Sequence, residues 1–236
     1  MKFAVIQFPG SNCDQDCLAA LNGLGRVRAE YVWHQEECLS QYDAVVLPGG
    51  FSYGDYLRCG AIARFSPIMR SVVKEAASGK PVIGICNGFQ ILCEAGLLPG
   101  ALVRNRSQRF VCDMTTVRVE TSDTPFTTLC AVGTLLRIPV AHGEGCFFAD
   151  EKTLGKLNRT QQVVLRYTDT NGQSVPAANP NGSVENIAGI CNRDRNVFGL
   201  MPHPDRACEA RLGSGDGAVI FHSIIAAIEA CGVRAA

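Results

Sequence analysis

Short apolar runs alternate with amphipathic segments along the first hundred residues. Strand patterns fall at residues 2–7, 27–33, 43–47 and 81–85, and helical patterns fall at about 12–24, 67–77 and 89–92. The polar turn Gly10-Ser11-Asn12 stands before the first helix and is expected to supply its N-cap. Strands that alternate with helices predict a parallel sheet that carries helices on both faces.

The pattern changes after Gly100. Runs at 111–120, 135–140 and 163–167 look like strands without long helices between them, which favours antiparallel pairing. Residues 187–191 and 197–201 predict a hairpin, and 217–230 predict a last helix with one apolar stripe. No repeat, low-complexity tract or linker interrupts the chain. We therefore predict one α/β domain over 1–236, with a flavodoxin-like, mostly parallel central sheet and a smaller antiparallel portion.

Composition narrows the possible functions. Lys and Arg number 22, as do Asp and Glu, so the balanced charge gives no reason to expect binding to nucleic acid or to an anionic membrane. The apolar run at 3–8 is too short for a signal peptide, and no stretch approaches the ~20 apolar residues of a membrane span. The twelve cysteines are scattered without paired C-x-x-C units. We expect a cytoplasmic protein without a metal site, in which most cysteines are buried apolar residues.

The segment Gly84-Ile85-Cys86-Asn87-Gly88 joins a predicted buried strand to a predicted helix. Glycines on both sides of a nucleophile permit a sharp turn that exposes its side chain, as in the G-x-S-x-G elbow of α/β-hydrolases. The helix N-terminus would favour the thiolate of Cys86 and offer N–H groups to an oxyanion. This pattern predicts an acyl-transfer cysteine.

A catalytic cysteine needs a base, and His203 is the strongest of the four histidines. It follows an apolar strand within Met201-Pro202-His203-Pro204-Asp205, where the prolines restrict the backbone. Asp205 could accept the imidazole Nδ1–H and fix the tautomer that presents Nε2 to the sulfur. The amides of Gly50, after the third strand, and Asn87 are the candidate oxyanion donors.

These residues together resemble the class I, or triad, glutamine amidotransferases, which hydrolyse the side-chain amide of glutamine. Longer strings resemble one branch of that family, the glutaminase subunits of phosphoribosylformylglycinamidine synthase from de novo purine synthesis. These strings are residues 48–61, 104–107, 139–145, 179–183, 185–190 and 201–204. The resemblance covers nearly the whole chain.

The resemblance implies a role for each matching residue. Cys86 would form the glutamyl thioester, His203 would act as general base and acid, and Asp205 would orient the imidazole, although most relatives carry Glu at that position. Gln90, His142 and Gly143 would help to hold glutamine. The chain itself would need no cofactor, because ATP and Mg would bind to a large synthetase subunit. A small bridging subunit would complete the complex, and ammonia would pass between subunits.

Two other interpretations stay open at this point. A stand-alone cysteine hydrolase of related fold, of the peptidase or γ-glutamyl hydrolase type, would use the same triad without a partner. A non-catalytic regulatory subunit would keep the fold, but the presence of Cys86 and His203 speaks against it. Release of ammonia from free glutamine, as opposed to cleavage of peptides or polyglutamate tails, separates the first alternative from an amidotransferase.

Overall fold

A computed structural model describes residues 1–234 of the protein. Within these residues the chain forms eleven strands, five α-helices and six short 3-10 helices. The strands are β1 Lys2–Gln7, β2 Arg28–Trp33, β3 Ala44–Leu47, β4 Val82–Ile85, β5 Ala101–Val103, β6 Val111–Val119, β7 Leu135–His142, β8 Cys146–Phe148, β9 Val163–Thr168, β10 Ile187–Cys191 and β11 Val197–Leu200. The helices are α1 Asp14–Gly23, α2 Ile68–Ala77, α3 Asn87–Glu94, α4 Glu151–Arg159 and α5 Ala218–Arg234.

Nine strands form one sheet in the order β2-β1-β3-β4-β11-β10-β9-β6-β7. The strands from β2 to β11 are parallel to their neighbours, whereas every pairing from β11 to β7 is antiparallel. A second sheet consists of β5 and β8. The predicted fold class is therefore confirmed. The antiparallel strands β10, β9, β6 and β7 extend the same sheet beyond β11.

The central parallel strands are unbroken apolar runs in the sequence because they lie in the core. Every residue of β3, β4 and β11 is buried, as expected for strands covered on both faces. In α5 the predicted stripe packs into this core through Ile220, Phe221, Ile224 and Ile225. The central strands are thus rigidly held, and the turns attached to their carboxyl ends have fixed starting points.

One expectation from the sequence is wrong, and three elements of the structure were not predicted. Asn12 does not cap α1, because the helix begins after Cys13 and its N-cap makes no side-chain hydrogen bond. Helix α4 was not predicted, since only Leu154 and Leu157 of its nine residues pack against the core and so short an apolar face gives a weak pattern. The three-residue strands β5 and β8 were also missed, because so short a run carries no periodicity.

The topology brings the predicted chemistry to one place. Strands β3, β4 and β11 are adjacent and parallel, so their carboxyl ends lie at the same edge of the sheet. The Gly49-Gly50 turn, the Cys86 turn and the His203 segment come shortly after these three strands. In open α/β sheets, this edge is where ligands bind.

Candidate active site

Cys86 lies in the turn between β4 and α3 and has a strained backbone. Its φ of 50° and ψ of −104° fall outside the regions that L-residues usually adopt, and strain of this kind concentrates at functional sites. Its N–H donates to the carbonyl oxygen of Leu200 at 2.8 Å, which ties the turn to β11. The side chain stands at the N-terminus of α3, where the helix dipole favours an anionic sulfur.

The glycines on either side of the Cys86 turn allow close packing, whereas the unusual φ is that of Cys86 itself. Neither Gly84 nor Gly88 has a positive φ, so the strain is carried by the cysteine itself. A Cβ at Gly84 would lie 2.6 Å from the carbonyl carbon of Gly88, and a Cβ at Gly88 would overlap the carbonyl oxygen of Leu47. The two glycines therefore let α3 pack directly against β3 and β4.

We expect Gly88→Ala to lower the free energy of unfolding by about 1–3 kcal/mol and to change the rate at which iodoacetamide alkylates Cys86. The added methyl group must push α3 away from β3, and Cys86 would move with it. Denaturant unfolding and the alkylation rate measure the two effects. Gly23→Ala is the matched control, because its Cβ would meet nothing within 4 Å. Equal losses of stability in both variants would contradict the packing argument.

His203 is enclosed shortly after β11, with 1% of its surface exposed. Its N–H donates to the carbonyl oxygen of Pro139 in β7 at 2.8 Å. Its Nδ1 lies 3.4 and 3.5 Å from the two carboxylate oxygens of Asp205. Its Nε2 is buried and has no hydrogen-bond partner within residues 1–234. The predicted pairing of His203 with Asp205 is thus present, and Nε2 is left free for another group.

The charges around His203 favour its protonated form. Burial opposes this form, but the negative charges of Asp205 and Cys86 outweigh burial and raise the pKa of His203 to about 10. Asp205 is itself 3% exposed, so water screens its charge little. A cationic imidazole beside the sulfur stabilises the thiolate, which is the nucleophilic form of a cysteine.

The segment that carries His203 and Asp205 is anchored to α1. Arg206 donates from Nε to the Oδ2 of Asp16 at 2.8 Å and from Nη2 to the sulfur of Cys13 at 3.1 Å. These contacts join residues far apart in the sequence, and they fix the short 3-10 turn Pro204–Arg206.

The two glycines after β3, Gly49 and Gly50, let the chain pack closely against His203 and Asn12. A Cβ at Gly49 would lie 2.7 Å from the Cε1 of His203, so Gly49 leaves room for the imidazole. Gly50 has a φ of +136°, and a Cβ there would lie 2.7 Å from the backbone nitrogen of Asn12, a position that only glycine can occupy. Asn87 is the first residue of α3, where an N–H has no acceptor within the helix.

A cavity of about 350 Å³ opens onto Cys86, within the roughly 300–1,000 Å³ that is usual for small-molecule sites. Its wall includes the predicted site residues Gly50, Cys86, Gln90, His142 and Gly143. Neither His203 nor Asp205 lines it. The imidazole therefore belongs to the packed interior, and the sulfur is the member of the predicted triad that meets the cavity.

Residues 142–144 line the cavity, and the segment 142–145 is held by Asn105, which is fully buried. The Asn105 N–H donates to the Gly143 carbonyl oxygen, and its Nδ2 donates to the His142 carbonyl oxygen, both at 2.9 Å. Its Oδ1 accepts from the Gly145 N–H at 2.9 Å. This residue was not predicted, because one Asn inside an Arg-rich stretch does not reveal contacts made some forty residues away.

Gln90 lines the cavity, but its polar atoms are bonded within the protein. Its Oε1 accepts from the Nδ2 of Asn87 at 2.8 Å, and its Nε2 donates to the carbonyl oxygen of Glu144 at 2.6 Å. Gln90 thus links the cysteine turn to the wall formed by 142–145. This position is suited to shaping the cavity.

The ring of His142 is likewise engaged on both sides. Its Nδ1 lies 3.2 Å from the Oδ1 of Asn105, and its Nε2 lies 3.4 Å from the Nδ2 of Asn181. Burial, and to a smaller extent the charge of His203, lowers the pKa of His142 to about 4. The ring is therefore neutral at pH 7, and since a carboxamide oxygen only accepts, Nδ1 carries the proton.

Two further observations concern other classes of site. Within residues 1–234, no group of three or more His, Cys, Asp or Glu side chains is placed to hold a metal ion. Among the helices of this same part of the chain, none is long and apolar enough to cross a membrane.

Comparison with known proteins agrees with this geometry. Residues 1–214 match the family model described as a CobB/CobQ-like glutamine amidotransferase domain. Phosphoribosylformylglycinamidine synthase subunit PurQ of Acaryochloris marina is 54% identical over 235 residues, which is 100% of both chains. The protein of the same name from Methanosarcina barkeri is 59% identical over 225 residues, covering 95% of this chain and 97% of its own.

Solved structures give the same picture. The structure of PurLQS from Thermotoga maritima matches with a TM-score of 0.85 and 44% identity, covering 96% of this chain and 98% of the matched one. A glutamine amidotransferase from Thermotoga maritima has a TM-score of 0.55 at 17% identity, covering 90% of this chain and 78% of its own, and supports the fold alone. The chain therefore belongs to the glutamine amidotransferase family, and within it to the branch of phosphoribosylformylglycinamidine synthase subunit PurQ.

Proposed function

We propose that this chain is the glutaminase subunit of a phosphoribosylformylglycinamidine synthase and hydrolyses glutamine to glutamate and ammonia. The observation that carries the proposal is the arrangement around Cys86. A strained cysteine at a helix N-terminus faces a cavity, and a buried histidine with a free Nε2 and a carboxylate partner lies behind it. This is the arrangement that nucleophilic acyl transfer requires.

The reaction proceeds through a thioester. The Cys86 thiolate attacks the amide carbon of glutamine, a C–S bond forms, and the N–H groups of Gly50 and Asn87 stabilise the resulting oxyanion. As the C–N bond breaks, the imidazolium of His203 gives its proton to the leaving nitrogen, which departs as ammonia. Water then gives a proton to His203 and attacks the thioester carbon, which releases glutamate and restores the thiolate.

Asp205 orients His203 and stabilises its protonated form. The Nδ1–carboxylate distances of 3.4 and 3.5 Å are longer than those of a strong charge-assisted hydrogen bond. The short Asp side chain therefore acts here mainly through its charge. Gln90 and His142 contribute by holding the cavity wall, and the backbone of Gly143 meets the substrate.

We expect Asp205→Asn to lower turnover by roughly two to four orders of magnitude while Cys86 still reacts with iodoacetamide. Loss of the carboxylate charge removes the interaction that raises the pKa of His203, so that pKa should fall. Ammonia release measures turnover, and NMR of the imidazole measures the pKa. Turnover at the wild-type rate, or an unchanged His203 pKa, would contradict the role of Asp205.

Ammonia is useful only to a synthetase, and we infer that this chain works with one. A large subunit would bind ATP, Mg and formylglycinamide ribonucleotide, and a small bridging subunit would complete the assembly. The likeness to the Thermotoga maritima PurLQS structure supports such a complex. The chain would act as one domain over 1–236 in the cytoplasm, and its twelve free cysteines are what a reducing compartment permits.

Copurification with the synthetase tests the proposal. We expect glutamine-dependent formation of formylglycinamidine ribonucleotide by the complex, and its loss when the Cys86 thiol is blocked while added ammonium salts restore product. Cleavage of peptides or polyglutamate without ammonia transfer would favour the stand-alone hydrolase. Unchanged glutamine-dependent synthesis with Cys86 blocked would favour a non-catalytic subunit.

A further inference from the structure

The residues just before α1 are paired with the turn that carries Gly50. Ser11 forms an isolated antiparallel bridge with Gly50. The Cys13 N–H donates to the carbonyl oxygen of Gly49 at 3.3 Å. The backbone that leads into α1 therefore holds one of the two proposed oxyanion donors.

Cys13 also lies against the catalytic imidazole. A Cβ at Gly49 would lie 2.7 Å from the Cε1 of His203 and 3.1 Å from the sulfur of Cys13, so both side chains pack against this glycine. Burial, opposed by the charge of Arg206, raises the pKa of Cys13 to about 12, and its thiol is therefore protonated at pH 7. The thiol donates to the Oδ1 of Asn12 at 3.3 Å, and its sulfur accepts from the Nη2 of Arg206 at 3.1 Å.

Arg206 completes the connection between α1 and the base. It directly follows Asp205 in the sequence, and its guanidinium group donates to two acceptors at once, the Oδ2 of Asp16 and the sulfur of Cys13. Burial lowers the pKa of Arg206, but the hydrogen bond with Asp16 and the nearby charge of Asp205 contribute to raising it. A permanent cation thus fastens the start of α1 to the segment that carries the catalytic dyad.

These side chains stand apart from the cavity at Cys86. Arg206 and Asp16 line a different cavity, of about 500 Å³, which also reaches Asp205. Neither they nor Cys13 line the cavity at Cys86, so a molecule bound there does not touch them. Any influence they have on the reaction must pass through the residues that they hold.

The sheet leaves a geometric problem that these contacts solve. His203 follows β11 and Gly50 follows β3, and the two strands are not neighbours, because β4 lies between them. Proton transfer and oxyanion stabilisation nevertheless act on the same intermediate, and a misplacement of about 1 Å can cost about 100-fold in rate. A direct link between the two loops would keep them in register.

We propose that Asp16, Cys13 and Arg206 form this link, which we call the α1 brace, and that Arg206 is a positioning residue for the reaction. The brace holds His203 and Asp205 at a fixed place relative to the oxyanion turn at Gly50. The inference rests on the proposed glutaminase function, to which it adds residues that never meet the substrate.

Replacement of Arg206 tests the brace in the complex with the copurified synthetase subunits. Arg206→Gln should lower kcat for ammonia release from glutamine about 10- to 100-fold and leave KM within about twofold. Arg206→Lys keeps the charge but lacks the fork that bonds two acceptors at once, so its kcat should stay at least about fivefold below the wild type. Wild-type kcat in either variant would overturn the proposal.

Cys13 offers a matched pair of variants that separates positioning from packing. A serine hydroxyl can accept from Arg206 and donate to Asn12, whereas alanine can do neither. Cys13→Ser should keep kcat within about threefold of the wild type, and Cys13→Ala should lower it at least about tenfold. Equal losses in the two variants would mean that Cys13 acts only as a packed side chain, and the brace would be wrong.

A double variant and a control complete the test. Arg206→Gln and Cys13→Ala break the same contact, so together they should lower kcat no more than about twofold beyond Arg206→Gln alone; fully multiplicative losses would overturn the brace. Arg211→Gln removes a charge that pairs with Glu209 and lines neither cavity, and it should keep the wild-type kcat and KM. If these variants fail while the wild type hydrolyses glutamine, the glutaminase function stands without the brace. If the wild-type complex releases no ammonia from glutamine, both are wrong.

Discussion

Replacing Cys86 with alanine should abolish glutamine hydrolysis, with a loss of at least roughly 10⁴-fold in kcat. Within residues 1–234, Cys86 is the cysteine that takes the strained turn at the start of α3, and its sulfur interacts with the imidazole of His203. The change removes only a sulfur atom from a side chain that is 5% exposed. We therefore expect the variant to stay folded and to bind glutamine. Ammonia release in the complex measures the loss.

Cys130→Ala is the matched control for this prediction. Cys130 is also 5% exposed, but it lies outside the cavity wall. Its replacement should cost some stability and leave turnover within about twofold of the wild type. Equal losses of activity in the two variants would mean that buried cysteines support the fold in general, and the assignment of Cys86 as nucleophile would then be wrong.

Replacing His203 with glutamine should lower kcat by roughly 10³–10⁵-fold and also destabilise the fold. The activity falls because no group is left to move the proton between sulfur, ammonia and water. Stability falls because the buried Asp205 loses the imidazole that balances its charge, and breaking a buried charge pair costs about 3–5 kcal/mol. Ammonia release and denaturant unfolding measure the two effects.

His222→Gln is the matched control. It shows whether the losses of activity and stability expected for His203→Gln are specific to that histidine. His222 is half-buried in α5 and away from the cavity at Cys86. We expect its replacement to change neither turnover nor the free energy of unfolding by more than a small amount. A His203→Gln variant that retains turnover would remove the general base from the mechanism.

Much of the fold could be predicted because its central strands are continuous apolar runs. The runs at 2–7, 43–47 and 81–85 became β1, β3 and β4 with shifts of at most one residue. The predicted hairpin at the end of the chain is confirmed, with β10 antiparallel to β11. Helix α4 escaped prediction because only two of its nine residues, Leu154 and Leu157, pack against the core.

The candidate nucleophile, base and oxyanion residues could also be located from the sequence, since each comes after a predicted central strand. The predicted resemblance to the glutamine amidotransferases is confirmed by the family match and by full-length relatives. The backbone geometry of the cysteine turn, by contrast, could not be predicted from the sequence. The positive φ belongs to Cys86 itself, and the two nearby glycines allow α3 to pack closely against the sheet.

Contacts between distant segments account for the remaining differences. Asn105 holds the wall at 142–145 through hydrogen bonds that span about forty residues, and a local pattern does not encode them. Asp55 lies in a loop without periodicity, and only the folded structure shows that its buried Oδ1 has no hydrogen-bond partner within residues 1–234. Polar contacts between distant segments are therefore the part of the site that the sequence pattern predicts least.

In the proposed mechanism, Cys86 forms a thioester with the side-chain amide carbon of glutamine. The most direct measurement is acid quenching of the complex during turnover with ¹⁴C-labelled glutamine, followed by mapping of the label on peptides. We predict label on the peptide that contains Cys86, released by hydroxylamine as a thioester should be, and absent in Cys86→Ala. Continued glutamine hydrolysis with no label on Cys86, or with label on another residue, would contradict the thioester mechanism at Cys86.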